Sequence, residues 1–273
     1  MNITEYVQNV GKTMSNEEKP LDRIVDDGGY TAIFRTIACV GDSLASGEFE
    51  ALDENGVRSY HDYYEYSWGQ FMARMTGASV YNFSRGGMTA KQYLDTFASA
   101  INAWAPEKAA QAYVIALGAN DINRGFEIGS VDDIDFEDCN NNQPTFAGYY
   151  GQIVQRYKEL QPQAKFFFVT MPRSENDSEE KAAHKKAHAQ LLRDMTKVFS
   201  NSYVIDLNTY APVYDAAFRE KFYLYGHLNP MGYQLTAKMI ASYIDYYIRK
   251  DPKDFRQVGF IGKPQYSETL DKE

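Results

Sequence analysis

The chain is short of cysteine, histidine and basic charge, and each shortage closes off a class of function. Only two cysteines, Cys39 and Cys139, stand among 273 residues. Cys39 lies in an apolar run and reads as a small buried hydrophobe. A disulfide framework is excluded at this count, and neither cysteine has metal-ligand spacing. Lys and Arg number 28 against 37 Asp and Glu, a formal net charge of −9. No block of basic residues overrides that total, so nucleic acid and anionic lipid surfaces are poor partners. No apolar run approaches the ~18 residues of a membrane-spanning helix. The opening MNITEYVQNVGKTMSNEEKP is polar and has no hydrophobic core segment of a secretory signal, so the expected location is cytoplasmic.

What is present is an alternation of short apolar runs and amphipathic stretches. The runs Thr36–Val40, Val80–Phe83, Ala112–Leu117, Phe166–Met171 and Tyr203–Ile205 have strand length and end at Gly, Ser, Pro or Asp. They are continuously apolar rather than alternating, as in a sheet covered on both faces. Helical patterns lie between and after them, at Ser67–Met75, Thr89–Trp104, Phe146–Leu160, Ser178–Phe199 and Met231–Ile248. This order predicts an α/β fold, a three-layer α/β/α sandwich around a five-stranded parallel sheet. The expected organisation is an extension over 1–33 (helical around Thr4 to Met14), one domain over 34–250, and a polar tail over 251–273, packed on the domain or trailing from it. Residues 122–145 form a long acidic loop, either a lid or a solvated surface segment, with the solvated reading favoured.

In such sheets the site lies beyond the carboxyl ends of the strands. The first run ends in Gly41-Asp42-Ser43-Leu44, a turn that exposes a serine hydroxyl beside unpaired backbone N–H groups. The second ends in Ser84-Arg85-Gly86-Gly87-Met88-Thr89, where paired glycines admit a substrate close to the backbone. The third ends in Leu117-Gly118-Ala119-Asn120-Asp121, which offers a side-chain amide donor. Before the last helix comes Gly226-His227-Leu228-Asn229-Pro230, with a histidine able to move protons near neutral pH. Each pattern alone also has an ordinary reading as a turn or a helix cap. Together they bring a nucleophile, donors and a base to one edge of the sheet.

These four blocks, in this order, resemble those of the SGNH (GDSL-type) serine hydrolases over about residues 34–250. The resemblance implies a flavodoxin-like SGNH hydrolase fold and a serine esterase. It makes Ser43 the nucleophile and His227 the base, with the N–H groups of Ser43 and Gly87 and the Asn120 amide as the oxyanion hole. The expected partner is a small-molecule ester, with small acyl groups and O-acetylated carbohydrate as the substrate class; no cofactor and no metal are implied. One departure stands out. The family carries Asp three residues before the histidine, and here that position is Leu224. The alternatives are a Ser-His dyad with His227 held by a backbone carbonyl such as that of Leu224, or a carboxylate from elsewhere, with Asp206 and Asp215 nearest in sequence. A thioesterase or lysophospholipase-type acylhydrolase, an acyltransferase, and a weakly active or non-catalytic binder of the same fold are competing readings.

Three further features have ordinary readings. His184 and His188 have the i, i+4 spacing of a zinc pair, but no third ligand accompanies them, so an ordinary role at the helix surface or boundary is expected. Asp132, Asp133 and Asp135 do not match a calcium loop. Tyr60-His61-Asp62-Tyr63-Tyr64-Glu65-Tyr66-Ser67-Trp68 reads as core packing rather than as an aromatic wall of the cleft, and His61 is assigned no role.

Overall fold

A computed structural model describes residue 15 and residues 17–272; the expected helix around Thr4 to Met14 lies outside the described residues. Five parallel strands form the central sheet: β1 (Thr36–Gly41), β4 (Ser79–Ser84), β5 (Ala112–Ala116), β6 (Lys165–Val169) and β7 (Ser202–Ile205), in the order β4-β1-β5-β6-β7. All five sequence-derived strands are present, displaced by no more than two residues at either end. Two hairpins not foreseen from the sequence lie outside the sheet. One pairs β2 (Glu48–Leu52) with β3 (Arg58–Asp62), and the other pairs β8 (Tyr223–Leu224) with β9 (His227–Leu228).

The helices are α1 (Ser43–Ser46), α2 (Trp68–Thr76), α3 (Ala90–Gln92), α4 (Ala98–Ala100), α5 (Ala119–Asn123), α6 (Phe146–Leu160), α7 (Glu179–Val198), α8 (Leu207–Tyr210), α9 (Ala216–Phe222) and α10 (Pro230–Lys250). Their starts follow from side-chain caps. Ser67, Thr89, Thr145, Ser178 and Asn229 each accept a hydrogen bond from a backbone N–H three residues on. The helix expected over Thr89–Trp104 is instead α3 and α4 joined by a π-helical turn, Tyr93–Phe97. It stops short because Asn102 takes a left-handed φ of 56° and turns the chain.

The sheet divides the core in two. Alternate strand residues Ala38, Val40, Tyr113, Ile115, Phe166 and Phe168 pack toward α6, α7 and the π turn. Their neighbours Ile37, Cys39, Val114, Phe167 and Ile205 pack toward α2 and α10. Both flanking segments are docked on the second face. Thr31 donates from Oγ1 to Ala241 O at 2.8 Å, and Val25 N donates to Ser242 Oγ at 2.9 Å. Phe255, Val258 and Ile261 are buried in the same cluster, so the C-terminal residues pack on the domain rather than trail from it.

Residues 122–145 are also ordered. They fold into 3-10 turns at Val131–Asp133 and Cys139–Asn141. Two of their acids are engaged locally: Asp133 accepts from Ser130 N and Thr145 Oγ1, and Asp135 from the N–H groups of Glu137 and Asp138. Ile134 anchors the segment against Gly151.

Candidate active site

β1 delivers Ser43. At its end Gly41 leaves no room for a side chain: a Cβ there would lie 2.5 Å from Ala45 Cβ and 3.0 Å from Ala116 O. The chain can therefore turn sharply into α1. Asp42 caps that turn, its Oδ1 accepting from Leu44 N at 3.1 Å. Its other oxygen, Oδ2, accepts from Asn120 Nδ2 at 3.4 Å, which ties the end of β5 to the end of β1. Asp42 is buried, and burial, with the charges of Asp121 and Glu48 behind it, pushes its carboxyl up to about 7 despite the Leu44 N–H and His227. Asp121, the next residue on α5, anchors the second block by accepting from Ala90 N at 3.0 Å. Burial raises it to about 6.

Gly87 adopts a left-handed φ of 70°, a conformation open to glycine at no cost. Its carbonyl accepts from Arg124 Nη2 at 3.0 Å. Gly118 has a φ of 131°, and a Cβ there would sit 2.5 Å from His188 Nε2. His188 is fully buried, not at the helix surface or boundary, because its Nε2 meets the Leu117 carbonyl at 3.0 Å beneath the strand end. Burial lowers it to about 4, so it is a neutral wedge under the third block. His184 is exposed, and the two rings do not form a pair. Among the described residues no group of three or more His, Cys, Asp or Glu could hold a metal.

His227 is presented by β9, after a turn in which Tyr225 has a φ of 56°. Its surroundings differ from the sequence expectation. Nε2 lies 3.0 Å from Glu48 Oε1, and Nδ1 lies 3.5 Å from Glu50 Oε2. Among the described residues Nδ1 has no hydrogen-bond partner, so no backbone carbonyl holds it. Glu48 and Glu50 are alternate residues of β2, so both carboxylates leave the same face of the strand. Both residues are buried. Glu50 is further fixed by Gly226 N at 2.8 Å and by an ion pair with Arg58. Two glycines make room for these acids. A Cβ on Gly86 would fall 1.7 Å from Glu48 Oε2, and one on Gly226 2.3 Å from Glu50 Oε2. Burial of the His227 ring opposes its charge, but Glu48 and then Glu50 outweigh that effect and hold it above the ordinary histidine value.

Asp206 is committed elsewhere. It caps α8, accepts from Thr170 Oγ1 at 3.1 Å and Thr209 Oγ1 at 2.9 Å, and pairs with Arg193 at 2.7 Å. Asp215 caps α9. The carboxylates at His227 therefore come from the β2–β3 hairpin and not from either aspartate. The signal for that hairpin was present in Asp53-Glu54-Asn55-Gly56, turn residues between two stretches of strand-like alternation.

The tyrosine-rich segment is split in its role. Trp68 is core. Tyr60, Tyr63, Tyr64 and Tyr66 are exposed, against the expectation of core packing, because β3 and the turn after it lie outside the central sheet. Tyr60 packs edge-on against His227 with ring centroids 5.8 Å apart. His61 is exposed and touches Ser59 Oγ.

The fold is shared with solved structures, two of them esterases. A family two carbohydrate esterase from Clostridium thermocellum, in complex with cellohexaose, is 16% identical with a TM-score of 0.57, over 85% of this chain and 66% of that one. The psychrotrophic esterase EstA from Pseudoalteromonas sp. is 15% identical with a TM-score of 0.53, over 78% of this chain and 98% of that one. A Lactobacillus plantarum protein is 16% identical with a TM-score of 0.55, over 78% and 98%. Comparison with curated proteins gives no match. The model of the GDSL-like lipase/acylhydrolase family matches residues 39–235, a span that takes in Ser43, Gly87, Asn120 and His227 together. With the sheet order, the serine turn and that match in hand, the chain belongs to the GDSL-like lipase/acylhydrolase family and is an ester-bond hydrolase.

Proposed function

We propose that the protein hydrolyses carboxylic esters of small acyl groups, O-acetylated carbohydrate among them, through an acyl-enzyme on Ser43. His227 takes the Ser43 Oγ proton as Oγ bonds to the ester carbonyl carbon. The oxyanion that forms is held by the N–H groups of Ser43 and Gly87 and by the Asn120 amide, each such donor contributing ~10²–10³ in rate. His227 then gives the proton to the departing alcohol. Water attacks the acyl carbon in a second round, losing a proton to His227, which returns it to Oγ as the bond between Oγ and the acyl carbon breaks and the acid leaves. Glu50, beside Nδ1, is the orienting acid in the role that the sequence offered to Asp206. No cofactor enters this scheme.

The observation that carries this reading is the bond from Asn120 Nδ2 to Asp42, the residue before Ser43. It holds an oxyanion donor and the nucleophile turn as one unit. The substrate class draws on the exposed Tyr60 beside His227, whose flat apolar face and polar edge suit a sugar ring. A second reading, a chain that binds its ester and turns it over weakly, draws on the contact between Glu48 and Nε2, the nitrogen that the reaction needs free.

The test is hydrolysis of p-nitrophenyl acetate and acetylated xylan oligomers by wild type and Ser43→Ala, with fluorophosphonate labelling of both. Labelling at Ser43 and loss of turnover in the variant are expected. Equal rates above background would overturn the nucleophile assignment. Labelling without turnover would favour the weak binder.

A further inference from the structure

A cleft of about 350 Å³ opens directly beside the candidate catalytic residues. Its inner wall is Leu44, Ala119 and Gly226, the sequence neighbours of Ser43, Asn120 and His227. Its outer wall is built by the segment after β6, by α7 and by α9, and there the lining turns cationic with Lys181, Lys185 and Arg219. The volume is that of a small-molecule site.

One of these cations is structural. Lys185 pairs with Asp177 at 2.6 Å, both side chains largely buried, and donates to Pro172 O at 2.9 Å. Asp177 in turn accepts from Ser174 N at 3.0 Å. The pair fixes the wall over residues 172–177. Lys181 and Arg219 are left over: neither forms an ion pair with a carboxylate among the described residues. Arg219 is held against the wall by stacking 4.2 Å over the Tyr223 ring. Two uncompensated cations facing one cleft are notable in a chain of net charge −9. An ester carrying a remote anion meets attraction at that end of the cleft.

We propose that the Lys181–Arg219 end of this cleft is a subsite for an anionic group, a carboxylate or phosphate, carried by the acyl or alcohol portion of the ester. This deepens the esterase reading of Ser43 and rests on it.

The test uses the full chain and matched ester pairs. Mono-p-nitrophenyl glutarate against p-nitrophenyl valerate places a carboxylate on the acyl side. 4-Acetoxybenzoate against its methyl ester places one on the alcohol side, and 4-acetoxyphenyl phosphate against 4-acetoxyanisole replaces it with phosphate. At least one anionic member is expected to exceed its partner in kcat/KM by about 10-fold, the size of one charged contact, and the advantage shrinks as salt is raised. In Lys181→Gln, an exposed position, and in the Lys181→Gln, Arg219→Gln double variant, that advantage falls toward parity. Neutral esters equal or better in every pair, or an advantage that survives the double variant, would overturn the subsite. If no ester is turned over and Ser43 does not label, the esterase reading fails. The subsite then stands or falls on calorimetry: glutarate or inorganic phosphate binding to wild type and more weakly to the double variant supports it, and no binding of either sinks it.

Discussion

Glu48 Oε1 lies 3.0 Å from Nε2 of His227, the nitrogen to which the proposed mechanism brings the Ser43 proton. On that assignment the contact with the Glu48 carboxylate has to open before Nε2 can take the proton. A base acts only when neutral, and His227 ionises above the ordinary value of 6.5. Activity is therefore expected to rise with pH along a limb centred above 6.5. Glu48→Gln removes the largest acidic contribution and moves the limb to lower pH. Gly86→Ala, which crowds Glu48 Oε2 out of its place, moves it the same way. A kcat/KM profile unchanged in both variants would separate Glu48 from the base.

The two acids suggested for His227 can be told apart by kinetics. Glu50→Gln is expected to lower kcat by on the order of 10² or more, since loss of a triad acid reaches ~10⁴. Asp206→Asn is expected to leave kcat within about 3-fold and to cost about 1–3 kcal/mol of stability, by weakening the contacts to Arg193 and Thr170. Urea midpoints and initial rates on the same preparations decide between them.

Asp42 sets stability against catalysis. Folding raises its carboxyl from 3.8 to about 7, so it favours the folded state in acid and costs stability as pH climbs between those values. Asp42→Asn removes that cost and is expected to raise Tm at pH 8 relative to wild type. The asparagine cannot present two acceptor oxygens, so Asn120 loses its partner and kcat falls by on the order of 10-fold. Thermal scans at pH 5 and pH 8 with parallel rates would show whether the two effects separate.

Gly118 and His188 form a packed step under the third block. Gly118→Ala puts a Cβ 2.5 Å from His188 Nε2 at a φ of 131°, and an expected loss of about 2–3 kcal/mol would appear as a lower denaturant midpoint at unchanged m-value. His188 itself, lowered to about 4, takes up its proton on unfolding before it does so in the folded chain. Stability is then lost as pH falls from 6.5 toward 4, at up to about 1.4 kcal/mol per pH unit. A flatter acid limb is expected in His188→Gln.

The sheet was legible because buried parallel strands are written as unbroken apolar runs, as at Ala112–Ala116. Ser43, Gly87, Asn120 and His227 were legible because each sits at a strand end or helix start with few residue choices. The acids were not. Glu48 and Glu50 belong to a hairpin that stands outside the alternation of apolar runs and helical patterns. Their approach to His227 depends on Gly86 and Gly226, far apart in sequence, leaving space in the folded chain. The burial of His188 is hidden from the sequence because its helix is polar, and only the strand end above it makes its position interior.

The carboxylates of β2 begin five residues after the nucleophile, while the histidine they hold is 184 positions further along than Ser43. Chain order therefore becomes a timetable. A polypeptide emerging from the ribosome as far as Tyr210 carries the serine, both acids, the glycine turn and the asparagine, yet has no base. On the proposed roles, competence for bond cleavage waits for the β8–β9 hairpin and the closing helix to fold onto the sheet, so a nascent chain that stops short of His227 is expected to be chemically silent.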